Sequence, residues 1–137
     1  MQSLKTLFMT RLFSYLMVLR FQSDNMPSTF SVDAILAQAN MKEKEYDWLG
    51  AAETYARGLD SISALNFSSS GDLHERLGYA FRKAAMQAED VNEFKSRMSK
   101  AAAHYGKALE AYERISDSET ANAKGLRCGA AKAYVEH

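Results

Sequence analysis

Acid–base, nucleophilic or metal chemistry in this chain would fall to three histidines, one cysteine and seventeen carboxylates. His74-Glu75-Arg76-Leu77-Gly78 opens like a zinc-peptidase helix. That chemistry needs a second histidine one turn later to complete the ligand pair, and position 78 is glycine. His74, His104 and His137 are too far apart in sequence to form a ligand set by local spacing. Cys128 has no second cysteine for an intramolecular disulfide and reads as a small buried filler. Gly71 and Gly78 lack the Lys-Ser/Thr that follows a phosphate-cradling loop. The close carboxylates Glu43/Glu45 and Glu89/Asp90 read as solvated helix faces. These residues predict a protein that is not an enzyme and uses no metal or cofactor, so its function is sought in binding.

Charge narrows the partner. Lys plus Arg is 17 and Asp plus Glu is 17, so the net charge is zero, and a globally basic nucleic-acid binder is disfavoured. The distribution is uneven. Residues 1–23 carry Lys5, Arg11 and Arg20 and no acid, amid Leu7, Phe8, Leu12, Phe13, Leu16, Met17, Val18, Leu19 and Phe21. Arg11 and Arg20 interrupt the run of about 20 apolar residues that a membrane span requires. Leu19-Arg20-Phe21-Gln22 is a poor match to a signal-cleavage site. Residues 1–22 are therefore expected to pack their apolar side on the body of the protein, with contact to a membrane surface as the alternative. Met26 and Met41 offer alternative starts. A cytoplasmic location is expected.

The elements that must position a binding site are helices. The only proline, Pro27, lies in the polar stretch Ser23–Ser31, which sets a boundary between residues 1–30 and a domain over 31–137. Apolar spacing predicts helices over 32–45, about 47–64, from Asp72, over 91–115, and from Ser116 to the end. Asn66 to Gly71 reads as a loop, since three serines and a glycine compete with helical hydrogen bonding. Asp72 with Glu75, Asp90 with Glu93, and Ser116 with Glu119 have the spacing of capping boxes. Glu53–Arg57, Asp72–Arg76, Glu93–Arg97 and Glu110–Arg114 are i,i+4 pairs that mark solvated faces. No stretch alternates like a strand, so the fold class is all-α, built of antiparallel helical hairpins.

Two segments repeat one packing pattern. Ala51-Ala-Glu-Thr-Tyr55-Ala-Arg-Gly58-Leu59 aligns with Ala101-Ala-Ala-His-Tyr105-Gly-Lys-Ala108-Leu109. A small residue admits a neighbouring helix, the ring one turn later fills the gap, and a second small residue with leucine continues the seam. Leu77-Gly78-Tyr79-Ala80-Phe81 supplies the complementary half on a partner helix, and Asp47-Trp48 marks the turn into the second helix. Together these resemble the tetratricopeptide repeat over most of residues 31–137. Matching tyrosines 50 positions apart, and no closing proline, make the chain more similar to long-helix relatives such as soluble NSF attachment proteins.

The resemblance implies two helix pairs and a closing helix, stacked as a short right-handed superhelix whose first helices line a concave side. That side is expected to present Asp33, Asn40 and Glu43, then Glu75, Tyr79, Arg82 and Met86, then Lys124. Of these, Asn40, Glu43, Glu75, Tyr79, Arg82 and Lys124 are the candidate partner-binding residues. Tyr79 and Arg82 are of the types that dominate interface energetics. Relatives that grip a C-terminal carboxylate use a lysine and an asparagine four apart; here that pair is Leu36 and Asn40. The expectation is a TPR-like adaptor or scaffold for a protein or peptide. Self-association is possible through the last helix, whose outer face has no partner in the sequence, and trafficking-type attachment through residues 1–22 is the other alternative.

Overall fold

A computed structural model describes residues 28–63, 65–115 and 119–137. These form five α-helices and, among the described residues, no strand: α1 (Ser28–Lys44), α2 (Trp48–Asp60), α3 (Phe67–Met86), α4 (Val91–Glu113) and α5 (Glu119–Glu136). The all-α class is as the sequence predicts. Each helix packs on the next along the chain, most extensively α3 on α4, and α3 also touches α5. No helix of the described residues is long and apolar enough to cross a membrane.

The helix starts follow from side chains that satisfy the orphan backbone N–H groups of a first turn. Asp47 accepts from Gly50 N–H at 2.9 Å to open α2. Asp90, in extended conformation, accepts from Glu93 N–H at 2.8 Å to open α4, and Glu93 reaches back to Glu89 N–H at 3.1 Å. That is the expected capping box, with its return bond on the residue before the cap. The box expected at Ser116 and Glu119 involves residues 116–118, which lie outside the described residues.

Three boundaries differ from expectation. α1 begins at Ser28, inside the stretch read as linker. α2 ends at Asp60, four residues early, although Ile62 still packs on the core. The stretch Asn66–Gly71 is not a loop, and Asp72 caps nothing. Asn66 is the cap, accepting from Ser69 N–H at 3.1 Å, and α3 runs through the three serines. Gly71 is buried there because the Tyr112 ring of α4 lies against it; a Cβ would stand 2.5 Å from Tyr112 Cε1. The glycine that looked like a helix breaker is a close helix–helix approach.

The core is built from alanine and tyrosine. Ala39, Ala51, Ala52, Tyr55, Leu73, Leu77 and Ala80 join α1, α2 and α3. Ala101, Ala102, Tyr105 and Val135, then Ala108, Tyr112 and Cys128, join α4 to α5. The aligned positions of the two repeated segments are equally interior: Ala51, Tyr55 and Gly58 are buried, as are Ala101, Tyr105 and Ala108. Small residues let the axes approach, and rings bury large apolar area between them.

Candidate functional site

α3 is central to the stack, and one of its faces is polar. Asp72, Glu75, Arg76 and Tyr79 recur at three- and four-residue spacing, so they share that face. Glu43 from α1, Tyr105 from α4, and Lys124 and Arg127 from α5 close around them to form a cleft of about 450 Å³.

The cleft is held by hydrogen bonds from residues distant in sequence. Tyr112 donates its hydroxyl to Asp72 Oδ1 at 2.5 Å and makes a longer contact to Glu75 Oε1 at 3.3 Å. Lys124 Nζ donates to Asp72 Oδ1 at 3.1 Å. Arg127 grips Glu75 with two bonds, Nε to Oε2 at 2.6 Å and Nη2 to Oε1 at 2.7 Å. Tyr55 donates to Glu43 Oε2 at 2.6 Å, and the Arg76 guanidinium stands 6.0 Å from the Tyr55 ring centre. Each carboxylate of the cleft thus accepts from a donor of another helix, which fixes its direction.

Burial, reinforced by the bond to Glu43, pushes the Tyr55 hydroxyl up to about 12; burial and the bond to Asp72 push Tyr112 up further. Burial raises Tyr105 to about 12. The Glu75 carboxylate holds Arg127 more firmly charged than usual. At neutral pH the tyrosines are therefore neutral donors. The lining carries three acids (Glu43, Asp72, Glu75) and three bases (Arg76, Lys124, Arg127), so its charge is balanced. Such a surface can offer paired charges and a tyrosine face to a polar ligand.

Of the residues singled out from the sequence, Glu43, Glu75, Tyr79 and Lys124 come together in this cleft. Arg82 lies beside it, half-buried, with its guanidinium 5.3 Å from the Tyr79 ring centre and 5.6 Å from that of Tyr134. It acts as a strut between α3 and α5. Asn40 is exposed on α1 and does not line the cleft. Asp72, Arg76, Tyr105 and Arg127 were missed. Asp72 and Arg76 lie three before Glu75 and three before Tyr79, and Arg127 lies three after Lys124, so helical spacing could have found them. Nothing local in the sequence separates Tyr105 from an ordinary core ring.

Of the four i,i+4 pairs, Glu93–Arg97 forms at 3.0 Å, and Arg97 also donates to the Ala84 carbonyl at 2.8 Å. Asp72 is taken by Tyr112 and Lys124, and Arg57 by Gln38 at 3.3 Å.

A second cluster lies where α3 meets α4. His74 and His104 stack with ring centres 5.2 Å apart and Nδ1 atoms 3.0 Å apart, so one imidazole donates and the other accepts. Phe81 stacks on His104 at 5.7 Å. Burial, then the charges of His104 and Lys107, pushes His74 down to about 4; burial, Lys107 and Lys100 lower His104. Folding thus joins two of the three histidines, while His137 lines a different cavity at the end of α5. Among the described residues no group of three metal-ligating side chains occurs.

Compared with known protein families, curated proteins and solved structures, the chain has no significant match in any of the three.

Proposed function

We propose that this protein is a non-enzymatic, TPR-like interaction module that binds a protein or peptide across the cleft of α1, α3 and α5. The observation that carries this reading is the convergence of Glu43, Asp72, Glu75, Arg76, Tyr79, Lys124 and Arg127 from three separate helices onto one charge-balanced surface. Convergence from distant segments, with directions set by cross-helix bonds, gives a preorganised face; preorganisation lowers the ordering cost of binding. Tyr79 keeps 39% of its area exposed, and Arg76 is exposed beside it. Tyrosine and arginine are the types that combine apolar area with directional polar contacts at interface hot spots. The repeated small–aromatic seam supports the same reading, because stacked helix pairs build extended binding surfaces from such units.

The test is affinity capture from native lysate with three full-length baits: wild type, Tyr79→Ala/Arg76→Ala in the cleft, and Lys107→Ala on α4 away from it. The reading expects a partner held by wild type and Lys107→Ala and weakened about tenfold or more by the cleft variant, with far-UV circular dichroism unchanged. Capture of the same proteins by all three baits refutes it.

A further inference from the structure

The acids and the cations of the binding face are held differently. Each acid of the cleft already accepts from a donor of the protein: Asp72 from Tyr112 and Lys124, Glu75 from Arg127, and Glu43 from the Tyr55 hydroxyl. Lys124–Asp72 and Arg127–Glu75 are ion pairs, so those four charges cancel within the cleft. The second half of α3 is different. Among the described residues Arg76, Arg82 and Lys83 make no ion pair. Rings hold the last two instead. Lys83 Nζ lies 5.7 Å from the ring centres of both Trp48 and Tyr79, and the Arg82 guanidinium lies 5.3 Å from Tyr79 and 5.6 Å from Tyr134. Trp48 and Tyr79 meet edge to face at 5.6 Å. A ring face orients a cation without cancelling its charge, and a guanidinium over a ring keeps its N–H fork for a carboxylate.

These cations belong to one stripe. Arg76, Tyr79, Lys83 and Met86 recur at intervals of three, four and three along α3, and Tyr79 and Met86 are 39% and 71% exposed. Arg82 flanks the stripe on the side of α5. Of the cleft's acids, Glu43 alone has no ion-pair partner among the described residues, so it offsets one of the three cations and leaves two in excess. We propose that this stripe docks a partner segment rich in aspartate and glutamate. Its carboxylates take up Arg76, Arg82 and Lys83, and an apolar side chain of it lies on Tyr79 and Met86. The proposal rests on the function proposed above and specifies the chemistry of the partner.

Charge complementarity selects this partner. A cation covered by a partner without an anion loses its water and gains nothing in return, so apolar and basic segments are penalised and acidic ones favoured. Spacing agrees. Seven residues of helix separate Arg76 from Lys83, about 10 Å along α3, and an extended segment rises about 3.3 Å per residue. Acids two to four positions apart in such a segment therefore reach both ends of the stripe. The rings argue against a single-stranded nucleic acid, which needs free aromatic faces for its bases. Here Tyr79 carries Lys83 and Arg82, and Trp48 carries Lys83 and the edge contact with Tyr79.

The test selects a phage-displayed library of random dodecapeptides on the full-length protein and on full-length variants. These are Arg76→Gln/Lys83→Gln, Arg76→Glu/Lys83→Glu, the cleft variant Tyr79→Ala/Arg76→Ala, and Lys107→Gln on α4 as the charge control. Wild type and Lys107→Gln are expected to enrich peptides rich in aspartate and glutamate. A synthetic copy of the most enriched peptide should bind the glutamine variant about tenfold or more weakly, and should weaken likewise on wild type between about 0.05 and about 0.5 M NaCl. The glutamate variant should invert the enrichment to lysine and arginine, an outcome that loss of folding cannot produce. Enrichment of peptides without excess acid, lost on the cleft variant, overturns this proposal and leaves the interaction module standing. No enrichment on any bait overturns both. Acidic enrichment that persists on the glutamine variant overturns this proposal, because the acids then bind elsewhere. Oligothymidylate that displaces the peptide at a lower concentration than the peptide itself also overturns it, and would make the stripe a nucleic-acid surface.

Discussion

Gly78→Ala tests the helix packing most directly. Gly78 lies on α3 beneath the Tyr105 ring, and a Cβ there would stand 2.9 Å from Cγ, Cδ1 and Cε1 of that ring. Ordinary carbon–carbon contact is about 3.5–4.0 Å, so the ring or the helix must yield by about 0.6–1 Å. Tyr105 cannot swing into solvent, being 4% exposed and packed on Ala101, Ala102 and Val135. Overpacking of this kind costs about 1–3 kcal/mol, and alanine returns about 0.8–1 kcal/mol of helix propensity, leaving a net loss of about 0–2 kcal/mol. Gly129→Ala is the control. The nearest atom to its added Cβ is Leu109 Cδ2 at an ordinary 3.8 Å, so the propensity gain should stand alone and stabilise by about 0.5–1 kcal/mol. Urea unfolding followed at 222 nm reads both. Tyr105→Leu in the Gly78→Ala background should recover part of the loss, with a coupling of about 0.5–2 kcal/mol in the double-mutant cycle. If Gly78→Ala stabilises as much as Gly129→Ala, Tyr105 does not lie on Gly78 and the α3–α4 interface described above is wrong.

Tyr112→Phe keeps the ring and removes the hydroxyl that Asp72 accepts; Lys124 remains on Asp72 at 3.1 Å. The expected loss is about 1–2 kcal/mol in urea unfolding, and no loss at all would place the hydroxyl elsewhere. Stability should also fall as pH drops from 6.5 towards 4. In that window the unfolded histidines take up protons that the buried His74, held down to about 4, and the lowered His104 resist. Above pH 6.5 that contribution is fully present, and His74→Gln should flatten the profile of melting temperature against pH. Tyr46 sits at φ 62° in the turn after α1, with 73% of its area exposed. Tyr46→Gly should relieve left-handed strain and raise stability by about 0.5–1 kcal/mol net of the entropy glycine costs; a lower melting temperature would contradict this.

Local physics was legible in the sequence. The helical period, the absence of alternating stretches and the Asp90–Glu93 cap all act within about one turn of chain, and all appear in the fold. The buried seams of Ala51–Tyr55–Gly58 and Ala101–Tyr105–Ala108 were legible for the same reason, since small and aromatic residues at helical spacing leave one way to pack. The start of α3 was not. Its serines and Gly71 favour a loop by local preference, and only the Tyr112 ring, 41 residues on, gives that glycine its reason to be helical.

The cleft divides along the same line. Glu43, Glu75, Tyr79 and Lys124 were visible as polar positions opposite apolar stripes. Their partners were not, because Tyr112 lies 40 residues from Asp72, Lys124 lies 52 from it, and Arg127 lies 52 from Glu75. No periodicity encodes contacts at that separation. They exist because α4 and α5 fold back on α3, and that packing makes a hydroxyl, an ammonium and a guanidinium neighbours of two carboxylates. By itself the sequence determined that the described residues are helical and where the polar positions of the helices lie. The tertiary structure decided which wet faces meet, because that depends on how closely the glycines and alanines let the helices approach.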